Sequence, residues 1–292
     1  MLVSMKEILD KANDGYYAVL GPNIFSEIDA RAYIEAAEDM GSPIILGIAY
    51  PTTNDLPFLG HVAVSLAEQA KVPVAVHLDH GSDLSQIMEA VRGGLSSVMI
   101  DASALPFEEN VALVKQVVEA VSPLGISVEA EIGHVGQGTD EVSSDLLTDP
   151  KEALEFIEET GIDACAVAVG TAHGAYKGTP KLDFKRLEEI KSLTGFPLVL
   201  HGSSGTGEEN IREACRRGIN KVNVCNDILK AAYDALKKTD FKGNDVYDFW
   251  PFIADTLRTF ISKQIDMVGS KGKAWVPGTE GLPRGNVTMR ER

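Results

Sequence analysis

Three histidines of this 292-residue sequence are each followed directly by glycine: His80-Gly81, His173-Gly174 and His201-Gly202. Imidazole is a preferred zinc ligand, and a catalytic zinc keeps three protein ligands and one position open to substrate. A glycine beside each ligand lets substrate and backbone approach closely. A single histidine at a strand end is usually a hydrogen-bonded structural residue, but the same pairing repeated three times points to a metal. Asp79 stands next to His80, and His77 lies two residues before Asp79, on the same inward strand face. His77 is expected to support or brace rather than to ligate. Glu129 and Glu131 repeat the two-residue spacing. Two carboxylates facing one interior are costly unless a cation or hydrogen bonds compensate. Further on, "HGSSGTG" (201–207) offers the glycines and the hydroxyls of Ser203 and Ser204. In "VNVCND" (222–227), Asn223, Val224, Cys225 and Asn226 lead into a helix whose N-terminus favours an anion. With Gly174 and Lys177 beside them after the apolar run at 163–170, this second group suits a phosphate.

These residues need a scaffold that gathers them. Eight short apolar runs occur in order: 16–20, 43–49, 72–78, 96–100, 125–132, 163–170, 196–202 and 219–224. Between them lie stretches of helical spacing such as "EIDARAYIEAAEDM" and "DPKEALEFIEETG". Continuous apolar strands imply burial on both faces, hence a parallel sheet covered by helices. Eight such units over this length predict a (β/α)8 TIM barrel, an α/β fold whose sites sit at the C-terminal ends of its strands. The candidate residues fall at those ends. An open doubly wound sheet is the competing fold, but no G-x-G-x-x-G follows the first strand. Residues 241–268 predict one or two extra C-terminal helices. One domain is expected over 1–275, with 276–292 a tail or an arm reaching another subunit.

Composition narrows the partners. A formal charge of −16 makes nucleic acid and anionic membranes poor partners, because the long-range field repels them. It leaves room for a small phosphorylated ligand held by local N–H groups and one lysine. No apolar run nears the ~20 residues of a membrane span, and the first residues carry charges where a signal peptide needs its apolar core. The expected location is cytoplasmic. Cys165, Cys215 and Cys225 lack metal-type spacing and are expected to be reduced.

The motifs "HLDHG", "VEAEIG", "GTAHGAYKGTPKLDF", "LHGSSG" and "INKVNV", in this order, resemble those of the class II, metal-dependent ketose-bisphosphate aldolases. The resemblance runs from about residue 5 to "GSKGKAW". It implies a lyase that reversibly splits a ketose 1-phosphate or 1,6-bisphosphate, of fructose or tagatose type, into dihydroxyacetone phosphate and an aldehyde through a metal-stabilised enediolate. Carried over by motif, His80, His173 and His201 ligate one zinc ion, Glu131 lies close to it, and Asp79 is the acid/base. Gly174, Gly202, Ser204, Asn223 and Asn226 hold the phosphate, with Lys177 close by. A monovalent cation such as sodium often binds near that phosphate in the family. A homodimer or homotetramer is expected.

Three departures bear on substrate. The mobile-loop glutamate that handles the carbon-bound proton aligns with Thr139, so Asp140 or Glu141 must stand in. The segments after strands one and two read "PNIFSEIDA" and "AYPTTND". Where fructose-bisphosphate members carry an arginine for the distal phosphate, Ile253 stands, with Arg258 and Arg284 as possible substitutes. A tail without a phosphate is therefore an alternative. A Schiff-base aldolase is disfavoured, since strand six lacks a lysine and Lys221 in strand eight is a poor candidate. A noncatalytic subunit stabilising a partner aldolase should have lost its metal histidines.

Overall fold

The structure is a computed structural model that describes residues 1–53, 55–136, 146–174, 176 and 178–275. Eight parallel strands alternate with helices, as the periodicity predicts: β1 Val19–Pro22, β2 Ile44–Ala49, β3 Val74–Gly81, β4 Ser97–Ile100, β5 Ser127–Ile132, β6 Ala164–Val167, β7 Leu198–Leu200 and β8 Ile219–Val224. Strands β2 to β8 pair in chain order, and β1 pairs with β8. The ring closes between β1 and β2 through a single bridge, Asn23 to Gly47, with Ile24 N–H donating to the Gly47 carbonyl at 2.8 Å. The result is a nearly closed TIM barrel.

The helices are α1 Met5–Asp14, α2 Glu27–Met40, α3 Leu56–Gln69, α4 Leu84–Arg92, α5 Phe107–Val121, α6 Pro150–Thr160, α7 Phe184–Thr194, α8 Glu208–Arg216, α9 Asn226–Lys237 and α10 Phe249–Val268. Local sequence sets their ends. Asp83, Asp149 and Asp183 accept N–H bonds at the starts of α4, α6 and α7, and left-handed glycines close α2, α6, α7 and α10. A 3-10 turn at Gly243–Asp248 leads into α10, which packs on α2 and α9 and is tied to α2 by Arg258 and Asp39.

Two apolar clusters fill the molecule. The larger lies between the sheet and the helix ring. The smaller lies inside the barrel, where Met5, Ile8, Leu9 and Ala12 of α1 meet Val19, Ile45, Ala75, Met99, Ala164, Ala166 and Val199. Helix α1 therefore plugs the bottom of the barrel. The first run, expected to begin as a strand at residue 16, starts at Val19 instead. Tyr16 sits in the turn after α1, 83% exposed with φ 53°, and cannot pair.

Moving two residues up a strand keeps the inward face. Above Ala75 come His77 and Asp79, above Val199 comes His201, and above Lys221 comes Asn223, all buried. The barrel interior is apolar at the bottom and polar at the top.

Candidate active site

Neighbouring residues of a regular strand point to opposite faces, so Asp79 and His80 should not reach one site. A bulge resolves this. β3 pairs Leu78 with Val98 and then Gly81 with Ile100, so two residues oppose one. His80 takes φ 54°, a left-handed conformation that costs a non-glycine residue about 1 kcal/mol. That rotation swings its ring onto the rim beside Asp79.

Three imidazoles converge there. The His80 ring centroid lies 4.8 Å from that of His173 and 4.5 Å from that of His201. His80 Nε2 is 2.9 Å from His201 Nδ1, and His80 Nδ1 meets Asp101 Oδ2 at 2.7 Å. Ligand atoms of His80, His173 and His201 all lie within 4.8 Å of one another, and His80, Asp101 and Glu131 form an overlapping group of the same kind. Glu131 accepts the Val135 N–H through Oε1 at 2.8 Å, while its buried Oε2 has no hydrogen-bond partner. A buried orphan carboxylate oxygen next to an imidazole cluster fits a divalent cation, which would supply the missing partner.

Charge is distributed unevenly. Burial opposes ionisation of Asp79, but His80, His201 and Lys221 outweigh it and hold its carboxyl well below the ordinary range. Asn23 Nδ2 and Asn223 Nδ2 each donate to one Asp79 oxygen at 2.8 Å. Burial also works against a charged His80, yet Asp79 and the Asp101 hydrogen bond raise it to about 9. His173 goes the other way, to about 4, through burial and its two imidazole neighbours. The shared proton of the cluster thus belongs on His80. Burial and Asp101 push Glu131 up to about 8.

A cavity of about 280 Å³ opens over this cluster. Its walls include Asn23, Asp79 and the three histidines, and also Gly174, Gly202, Ser203, Ser204, Asn223, Val224, Cys225 and Asn226. The residues expected to hold a metal and those expected to hold a phosphate therefore share one cavity. Glu131 does not line it but groups with His80 and Asp101. Lys177, Thr139, Asp140, Glu141 and the 276–292 segment lie outside the described residues. Gly202 has φ 65°, and a Cβ there would run into the Ala172 backbone. The Tyr176 hydroxyl clamps the two loops together, accepting from Ala172 N–H at 2.6 Å and donating to the Gly202 carbonyl at 2.7 Å. Ser204 Oγ accepts the Asp227 N–H, which fixes that hydroxyl at the start of α9.

The distal side differs from expectation. Ile253 packs against the larger apolar cluster instead of lining the cavity, and Arg258 is engaged with Asp39. Among the described residues lining the cavity there is no lysine or arginine. The partners Asn23, Asp101 and Ser103 were not singled out from sequence, although Asn23 and Asp101 each follow directly on a barrel strand. Ser103 donates to Asp101 at 2.8 Å. Lys221 is buried and paired with Glu129 at 2.6 Å, unlike a free amine poised for a carbonyl.

A TIM barrel with imidazoles and carboxylates clustered under a cavity at its C-terminal rim is an enzyme scaffold suited to acid–base chemistry beside a cation. Comparison with known proteins specifies which. Residues 3–273 match the family model for class II fructose-bisphosphate aldolase. A fructose-bisphosphate aldolase of Geobacillus stearothermophilus is 42% identical over 286 residues, covering 94% of this chain and 99% of the relative. One from Staphylococcus aureus is 40% identical over 284 residues, with the same coverage. The crystal structure of the YdjI aldolase from Escherichia coli K12 superposes with a TM-score of 0.85 at 34% identity, covering 94% of this chain and 100% of that one. The chain belongs to the class II fructose-bisphosphate aldolase family. It is an aldolase, a carbon–carbon lyase of carbohydrate metabolism.

Proposed function

We propose that the protein is a zinc-dependent aldolase that reversibly cleaves a ketose 1-phosphate or 1,6-bisphosphate into dihydroxyacetone phosphate and an aldehyde. The observation that carries this reading is Asp79, an ionised carboxylate clamped by Asn23 and Asn223 beside three converging imidazoles. His80, His173 and His201 would hold the ion, with Glu131 next to them. When bound, the ion supplies a Lewis acid that offsets negative charge on the ketone side of the scissile bond.

The chain's own residues do the rest. In cleavage Asp79 takes the proton from the hydroxyl that becomes the aldehyde, and in synthesis it gives that proton back. Asn23 and Asn223 keep both carboxylate oxygens in place for this exchange. Asp140 or Glu141 handles the carbon-bound proton. Gly174, Lys177, Gly202, Ser203 and Ser204, with Asn223 through Asn226, cradle the phosphate, and the N–H groups at the start of α9 face its charge. A monovalent cation such as sodium would sit near this phosphate. The protein would work in the cytoplasm as a homodimer or homotetramer, without nucleic acid or membrane partners.

A second substrate reading has its own support: the cavity wall lacks a described lysine or arginine, which favours a ketose 1-phosphate whose far end carries no phosphate. The test is a panel of ketose phosphates differing at carbons 4 to 6, with dihydroxyacetone phosphate release followed by a coupled reductase. At least one should be cleaved with zinc present. No cleavage across fructose, tagatose and related 1-phosphates and bisphosphates would overturn the assignment.

A further inference from the structure

Behind the imidazole cluster, the barrel interior holds a polar chain that the proposed proton transfers do not use. It runs from Ser97 through His77, Lys221 and Glu129 to His201, and all five are buried. His77 Nδ1 lies 2.8 Å from Ser97 Oγ, and Lys221 Nζ lies 3.2 Å from His77 Nε2. Lys221 Nζ donates to Glu129 Oε2 at 2.6 Å, and Glu129 Oε1 is 2.8 Å from His201 Nε2. Space for the lysine stem comes from Gly21, where a Cβ would stand 3.2 Å from Lys221 Cε.

An ammonium donates and never accepts. His77 Nε2 must therefore accept from Lys221, which leaves the hydrogen on Nδ1 to bond Ser97. Burial and the nearby Lys221 charge push His77 down to about 3 and keep it neutral, as an acceptor must be. On the other side, Lys221 fills one oxygen of Glu129 and leaves the other facing His201 Nε2. Two acceptors would repel at 2.8 Å, so Nε2 carries the hydrogen. The lone pair of His201 Nδ1 is then aimed at His80 Nε2, 2.9 Å away, where the cluster converges. The single donor-only group of the chain sets the direction of every bond in it.

We infer that Lys221 is a positioning residue for the metal site: acting through Glu129, it holds His201 in the Nε2–H tautomer and so presents Nδ1 to a divalent ion. This rests on the reading of His201 as a metal ligand. A purely structural ion pair would support the barrel without dictating which ring nitrogen carries the hydrogen.

The experiment uses metal-free full-length protein with ¹⁵N-labelled histidine, whose ring nitrogens report the tautomer by NMR, together with zinc affinity measured against a chromophoric chelator. The wild type should show His201 as Nε2–H and His77 as Nδ1–H. Lys221→Met, of similar length but without a donor, should mix the His201 tautomers and weaken zinc binding by about 10-fold or more, the scale of outer-shell partners. A wild type with His201 in the Nδ1–H form overturns the inference, as does a folded Lys221→Met that keeps both tautomer and zinc affinity. If Lys221→Met does not fold, the two wild-type tautomers decide alone. A wild type that binds no zinc while showing the expected tautomers would sink the ligand reading and leave the role of Lys221 in ordering the chain intact.

Discussion

Replacing Asp79 with asparagine separates chemistry from scaffolding. Each Asp79 oxygen accepts one amide N–H at 2.8 Å, from Asn23 on one side and Asn223 on the other. The introduced side chain has one oxygen and one NH2, so whichever way it turns, two donors face each other. One neighbour has a way out, because the buried Asn223 Oδ1 lacks a partner and a flipped Asn223 amide could accept instead. Without the flip, an unsatisfied buried donor costs about 1–3 kcal/mol, less whatever is regained by removing a buried charge. Stability should therefore fall by at most about 12 °C in Tm, at roughly 2–4 °C per kcal/mol for a chain somewhat smaller than this one. Activity should fall much further, by at least ~10²-fold in kcat, the usual scale for a positioned acid/base. Zinc content should stay at the wild-type level, since no ligand atom is removed. The assay is steady-state cleavage at saturating zinc, with elemental analysis and a thermal melt on the same sample. A zinc-loaded, folded Asp79→Asn with wild-type kcat would refute the role given to Asp79.

His173→Ala should do the reverse, losing zinc from purified protein while the Asp79 bonds to both asparagines persist; elemental analysis showing full occupancy would contradict its role. For the metal-free protein, His80 is raised from 6.5 to about 9, so its stabilising contribution is complete below about pH 6.5 and disappears as pH climbs through 9. Glu131, raised from 4.5 to about 8, acts with the same sign between those values, whereas Asp101 and Glu129 are depressed and lose their contribution only in acid. His77 and His173, depressed from 6.5 to about 3 and about 4, add stability as pH rises to about 6.5. Melting temperature without metal should thus peak near pH 6.5 and drop toward pH 9, and a rise from pH 6.5 to 9 would contradict the assignment. On substrate, fructose 1,6-bisphosphate should be cleaved less efficiently than a ketose 1-phosphate with an uncharged tail, since a bidentate arginine clamp is absent from the described cavity wall. A kcat/KM near ~10⁵ M⁻¹s⁻¹ or above for the bisphosphate would reject the altered-tail reading and leave the aldolase assignment in place.

The strand ends were legible because polar residues interrupt runs that are otherwise buried on both faces. His77, Asp79 and Asn223 stand out for that reason, and the helix ends followed from aspartates and glycines at the caps. The role of α1 was not legible. Its apolar spacing marks an amphipathic helix, but only closure of the barrel shows that it fills the bottom. The bulge at Asp79–His80 is equally hidden, since nothing local in "HLDHG" says that two residues will oppose one. Nor could pairing across the barrel be read from one chain segment: Asn23 meets Asp79 over 56 positions, and Lys221 meets Glu129 over 92. Ile253 illustrates the opposite limit. Alignment by motif placed it near the substrate tail, and packing of α10 turns it into the apolar layer.

The most direct test of a metal-dependent aldolase at this site is cleavage measured on one preparation before chelation, after exhaustive chelation, and after titrating zinc back. The account predicts that activity vanishes with the metal and returns in proportion to zinc, reaching its plateau at one equivalent per chain. Full activity in the rigorously chelated protein would contradict it.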